Sequence, residues 1–106
     1  MNCANYLLQN YFKLPKIAER ENGSLFGDFY RAIVTGGYGL NLIGLTLIDG
    51  VYQTKIKKGD FDMLHVAKGR QILHIFVETK EGKIIDVNKG KKSDYQIIAS
   101  YTISRL

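Results

Sequence analysis

The sequence predicts an α+β domain, with helices first and an antiparallel run of strands behind them. Three observations carry that expectation. Apolar residues near the start recur at helical spacing, at Ala4, Leu7, Leu8 and Tyr11. From Tyr38 onward the chain is rich in β-branched and aromatic residues. Glycine-bearing turns punctuate it at Gly36-Gly37, Lys57-Lys58-Gly59-Asp60 and Lys80-Glu81-Gly82. Helices and strands that segregate along the chain, rather than alternate, favour N-terminal helices packed on an antiparallel β-sheet.

The elements follow in order. Asn2 is a good N-cap for a first helix reaching Phe12, and Pro15 prevents much extension beyond it. Asn5 and Gln9 fall opposite the apolar stripe, on the expected outer face. The polar stretch Glu19–Gly23 reads as a loop. Ser24 then caps a second helix, Leu25 to Thr35, which turns Leu25, Phe29 and Ile33 to one side and stops at Gly36-Gly37. Strands are expected at Leu42–Ile48, Val51–Ile56, Phe61–Val66, Ile72–Thr79, Lys83–Asn88 and Tyr95–Ser104.

With 106 residues and 45% apolar content, the chain suits one domain with a real core. No apolar run is long enough to span a bilayer. The opening Met1-Asn2-Cys3-Ala4-Asn5 lacks the basic-then-apolar layout of a secretory signal, so action outside a cytoplasm would need another means of delivery. A net charge of +5 favours solubility and attraction to polyanions. Its basic runs, Lys55-Ile56-Lys57-Lys58 and Lys89-Gly90-Lys91-Lys92, are short and not interleaved with aromatic residues, which argues against a nucleic-acid groove. One cysteine excludes an internal disulfide, and one Cys with two His fits no closed zinc site. No metal or other cofactor is expected.

A free cysteine usually packs in a core. Cys3 is placed differently: if Asn2 is the cap, its sulfur lies beside unpaired N–H groups at the positive end of a helix, where a thiolate is stabilised. The same N–H groups could hold an oxyanion on a carbonyl attacked by the sulfur. His74 lies in the strand Ile72-Leu73-His74-Ile75-Phe76-Val77. A three-residue loop, Lys80-Glu81-Gly82, with glycine at its left-handed last position, sets Thr79 opposite Lys83. His74 then falls opposite Asn88, with Asp86 a diagonal neighbour about 7–8 Å away. Leu73, Ile75, Val77, Ile85 and Val87 share the other face. A nucleophile, a base and a polar group to orient the base can thus be assembled from Cys3, His74 and either Asp86 or Asn88. His65, the rival base, reads as structural or surface.

The order of these pieces resembles that of the NlpC-type papain-like cysteine peptidases, particularly the phage-tail members. The residues that carry the likeness are Asn2-Cys3-Ala4-Asn5-Tyr6-Leu7-Leu8, then Lys57-Lys58-Gly59-Asp60-Phe61-Asp62-Met63-Leu64, His74-Ile75-Phe76-Val77 and Gly82-Lys83-Ile84-Ile85-Asp86. The likeness covers nearly the whole chain, and the twelve-residue step from His74 to Asp86 matches the family's usual step. It implies a papain-like NlpC-type core with Cys3 as nucleophile and His74 as base. The family more often has His, Asn or Gln where Asp86 stands, so Asn88 stays beside it as a candidate.

The expected activity is that of a cysteine peptidase or amidase acting through a thioester. The resemblance implies a peptide or peptidoglycan substrate and a phage or bacterial partner. Acyl transfer or deamidation would use the same Cys–His pair. The non-enzymatic alternative is a basic binding module, a host-factor inhibitor or virion component, which contacts its partner through Tyr30, Tyr38 and Tyr52.

Overall fold

The computed structural model describes residues 2–19, 24–46, 52–54, 59–68, 73–88 and 95–106. Two N-terminal helices pack against an antiparallel sheet. Helix α1 spans Cys3–Leu7 and continues into a wider π-helical turn, Leu8–Phe12. Helix α2 spans Phe26–Thr35. The strands are β1 (Tyr38–Thr46), β2 (Tyr52–Thr54), β3 (Met63–Lys68), β4 (Leu73–Glu78), β5 (Ile84–Ile85) and β6 (Gln96–Arg105). They lie in the order β2-β1-β6-β3-β4-β5, which inserts the last strand of the chain between β1 and β3.

Asn2 caps α1 as expected, its Oδ1 accepting the Asn5 N–H at 2.9 Å. The helical run stops where Lys13 takes a left-handed conformation, φ 58°. Ala4, Leu7, Leu8 and Phe12 face inward, with Phe29 and Ile33 of α2, onto Leu64, Val66, Ile75, Val77, Ala99 and Ile103 of the sheet. Burial of each such large apolar side chain contributes about 1.5–3 kcal/mol. Phe12 sits at the centre, edge-on to Phe29 and Tyr38 at centroid distances of 5.9 and 4.9 Å.

Several expectations are corrected. Asn5 is fully buried rather than outward, because its amide holds the chain that returns beneath α1. Leu25, not Ser24, precedes the first turn of α2, and it is exposed. The Ser24 hydroxyl instead donates to the Ala18 carbonyl and accepts from Asn2 Nδ2. Strand β1 begins four residues early, at Tyr38, since Tyr38 completes the aromatic cluster around Phe12. Tyr38 is therefore buried and unavailable as a surface contact, whereas Tyr30 is exposed. The expected Glu19–Gly23 loop, both basic runs and the ends of the Val51–Ile56 strand fall wholly or partly outside the described residues.

Strand β3 is buried at five successive positions, Met63 to Ala67, so both faces of the sheet are covered there. His65 lies on the face turned away from the core cluster, and is buried with Phe76 and Ser100. It is structural, not superficial. Its Nε2 is 2.7 Å from Glu78 Oε1 and its Nδ1 is 2.6 Å from Ser100 Oγ. The carboxylate can only accept, so Nε2 carries the proton shared with Glu78.

Candidate active site

Strand pairing brings the site together. Gly82 adopts φ 90°, and Thr79 N–H donates to the Lys83 carbonyl at 2.8 Å. The three-residue loop and the register Val77↔Ile85, Glu78↔Ile84 are those the sequence predicts. The ladder then ends at Ile85, short of the expected Asn88. Asp86 leaves the strand path and turns its carboxylate toward His74, which diverts the chain from further pairing. The start of β4, at His74 and Ile75, is consequently free of β5 along that edge. Helix α1 packs against β4, and Cys3 meets that edge close enough to the Ile75 N–H for it to favour the thiolate.

The imidazole links the two other groups. His74 Nε2 lies 2.9 Å from Asp86 Oδ1. With Nε2–H donated to the carboxylate, Nδ1 is the nitrogen left for the Cys3 sulfur, and the thiol and the imidazole stand close enough for each to shift the other's pKa. Asp86 is almost wholly buried and also accepts the Asn88 N–H at 3.1 Å and the Tyr95 hydroxyl. Three donors converge on this carboxylate. Asn88 is exposed and meets the site through its backbone rather than opposite the imidazole. Among the sequence candidates, the structure thus brings together Cys3, His74 and Asp86.

The electrostatics follow from these contacts. Burial pushes the Cys3 thiol up, but the hydrogen bond to His74, the Ile75 N–H, the imidazole charge and the Ala4 N–H together carry it below its ordinary value. The Cys3 hydrogen bond raises the His74 pKa most; burial works against it, and the Asp86 charge and hydrogen bond add to the rise. Each partner shifts toward the form that stabilises the other, thiolate beside imidazolium. This is what an activated thiol requires.

The sequence did not single out Tyr95. Its ring stacks on His74 at 4.8 Å and on Phe76 at 4.9 Å. The only trace in the sequence is an aromatic residue at the start of the last expected strand. Asn5 was missed as well. Its side chain accepts the Ile17 N–H and donates to the Ile17 carbonyl, which anchors residues 13–19 beneath the helix that carries Cys3. Among the described residues no group of three or more His, Cys, Asp and Glu side chains is arranged to hold a metal ion, and no helix is long and apolar enough to cross a membrane. Compared with protein-family models, curated proteins and solved structures, the chain gives no match in any of the three.

Proposed function

We propose that this domain is a cysteine peptidase or amidase on a papain-like NlpC-type framework. The observation that carries the reading is one chain of contacts: Cys3 to His74, and His74 Nε2 to Asp86 Oδ1 at 2.9 Å. The Cys3 thiolate attacks an amide carbonyl, and the Ala4 and Ile75 N–H groups that solvate the sulfur lie close to where charge develops on the carbonyl oxygen. The C–N bond breaks as the His74 imidazolium gives its proton to the departing amine, leaving a thioester on Cys3. His74, now neutral, takes a proton from water. The hydroxide cleaves the thioester, which frees the acid and restores the thiolate–imidazolium pair. Asp86 keeps its negative charge throughout and holds the ring in the tautomer that serves both steps.

The resemblance supports a peptidoglycan stem peptide as substrate in a bacterial or phage setting, and the net charge of +5 suits an anionic wall polymer. Acyl transfer shares the first half of this scheme and replaces water with another nucleophile, whereas deamidation follows all of it with ammonia as the departing amine. The second reading, a binding module, draws on Leu25, Phe26, Tyr30 and Val34, which leave an apolar stripe exposed along α2.

The test is turnover of cell-wall peptides by wild type, Cys3→Ala and Cys3→Ser, with mass spectrometry of the trapped enzyme. The reading expects an acyl adduct on wild-type Cys3 and loss of turnover in both variants while each still folds and melts cooperatively. Turnover by Cys3→Ala near the wild-type rate would overturn it.

A further inference from the structure

We propose that Tyr95 is a positioning residue of the Cys3–His74–Asp86 site, holding carboxylate and imidazole at once; this rests on the thiol-hydrolase reading above. The residue stands just before β6, remote in sequence from α1 and β4, and makes two different contacts with the site. Its hydroxyl donates to Asp86 Oδ2. Its ring lies nearly parallel to the His74 ring, 22° apart at a centroid distance of 4.8 Å.

The two contacts act on different degrees of freedom. Asp86 has two oxygens, and Oδ1 serves both His74 Nε2 and the Asn88 N–H. A carboxylate gripped on one oxygen can still swing about its Cβ–Cγ bond. The phenol grips the second oxygen and opposes that rotation, so Oδ1 stays on His74 Nε2. The ring contact governs the other partner. An imidazole bonded at one nitrogen can tilt out of plane, and the Tyr95 face blocks tilt on one side.

Tyr95 is itself seated by Phe76, its ring 4.9 Å away at 29°, and Phe76 is fully buried on the same strand as His74. Phe76 in turn lies 5.1 Å from His65. His74 and Phe76, 6.1 Å apart at 24°, therefore lie side by side, and the Tyr95 ring covers both and ties the imidazole to the buried phenyl.

The charged and titratable groups that face His74 among the described residues are Cys3 from α1, Asp86 following β5 and Tyr95 preceding β6. Removing the phenol frees Asp86 to rotate, weakens the support for imidazolium, and so moves the Cys3 thiolate to higher pH. A purely structural tyrosine would alter melting and leave that pH unchanged.

The experiment is the rate of Cys3 alkylation by iodoacetamide against pH for wild type, Tyr95→Phe, Tyr95→Leu and His74→Ala, with a melting curve for each. Cys3 is the only cysteine, so the adduct reports it alone. Tyr95→Phe keeps the ring and loses the donor; it is expected to melt near wild type while its alkylation limb moves up by about one unit, about tenfold slower labelling at acidic pH. Tyr95→Leu loses both contacts and moves further. Wild-type limbs in both Tyr95 variants, alongside a displaced limb in His74→Ala, would overturn the positioning role and leave the thiol–imidazole pair standing. A wild-type limb at the ordinary thiol value and indifferent to His74 would remove the hydrolase reading itself. Should Tyr95→Leu fail to fold, Tyr95→Phe decides alone.

Discussion

Asn5 grips both sides of the Ile17 backbone: its Oδ1 accepts the Ile17 N–H at 2.8 Å and its Nδ2 donates to the Ile17 carbonyl at 3.0 Å. The amide imitates a strand partner for a segment that has none. It does so two residues from Cys3, on the helix that presents the sulfur to β4. Replacement by Ala strips a complementary donor and acceptor from a part-buried peptide, at a cost of about 2 kcal/mol. For a domain of this size the melting temperature should fall by about 10 °C. Because residues 13–19 then lose their hold beneath α1, labelling of Cys3 should also become less pH-selective. A variant that melts like wild type would show that the clamp contributes nothing.

Gly82 carries a second structural demand. At φ 90° it closes the loop that sets Thr79 opposite Lys83, and that register delivers Asp86 to His74. A Cβ there meets no neighbouring atom, so the cost of Gly82→Ala is conformational alone. About 1–2 kcal/mol is expected from the left-handed backbone. If the loop relaxes to a different length, every later side chain changes face and Asp86 is carried away from the imidazole. Urea unfolding together with the Cys3 labelling profile separates the two effects: loss of stability with an unchanged profile means the register survived.

The parts of the fold legible in the sequence are those governed by local rules. Asn2 as a cap, glycines at Gly37 and Gly82, and the pairing of β4 with β5 all follow from backbone chemistry within a few residues. The His74–Asp86 contact was legible for the same reason, since one turn length fixes which face carries both residues. What could not be read depends on distant partners. Asn5 appears polar and outward until residues 13–19 return beneath it. Tyr38 appears exposed until Phe12 packs edge-on against its ring, and Arg105 then caps it, Nη1 donating to its hydroxyl at 2.7 Å. Tyr95 is separated from His74 by 21 positions, too many for any local pattern to join them. The stop of β5 at Ile85 is likewise a tertiary effect, since Ile84-Ile85-Asp86-Val87 offers no breaker and the strand ends because Asp86 is captured.

Asp86→Asn tests the carboxylate with little change in shape. The native side chain accepts from His74 Nε2, the Asn88 N–H and the Tyr95 hydroxyl, and an amide has one oxygen to offer three donors. It also removes the charge that favours imidazolium. Turnover should fall by about 10²–10⁴-fold, the range for a misplaced acid–base group. Asn88→Ala should have far less effect, because Asn88 meets the site through its backbone N–H, which Ala retains. Equal losses in the two variants would assign the orienting role to Asn88 instead.

The shift of His74 has a sign that can be checked by titration. Its folded-state pKa is raised, chiefly through Cys3 and then, against burial, through Asp86. The folded state therefore binds this proton more tightly than the unfolded chain. The associated stability is complete below the unfolded imidazole value of about 6.5 and disappears as pH rises through the higher folded value. Cys3 runs the other way: its pKa is lowered, so its contribution is present above the unfolded thiol value of about 8.5 and fades as pH falls through the folded one. Cys3→Ala removes the largest contribution raising His74, leaving Asp86 to oppose burial. The His74 ring signal in an NMR titration should then move its midpoint to lower pH than in wild type, and the loss of stability linked to it should begin at lower pH as well. An imidazole midpoint that ignores the cysteine would mean that the two side chains are neighbours without sharing a proton.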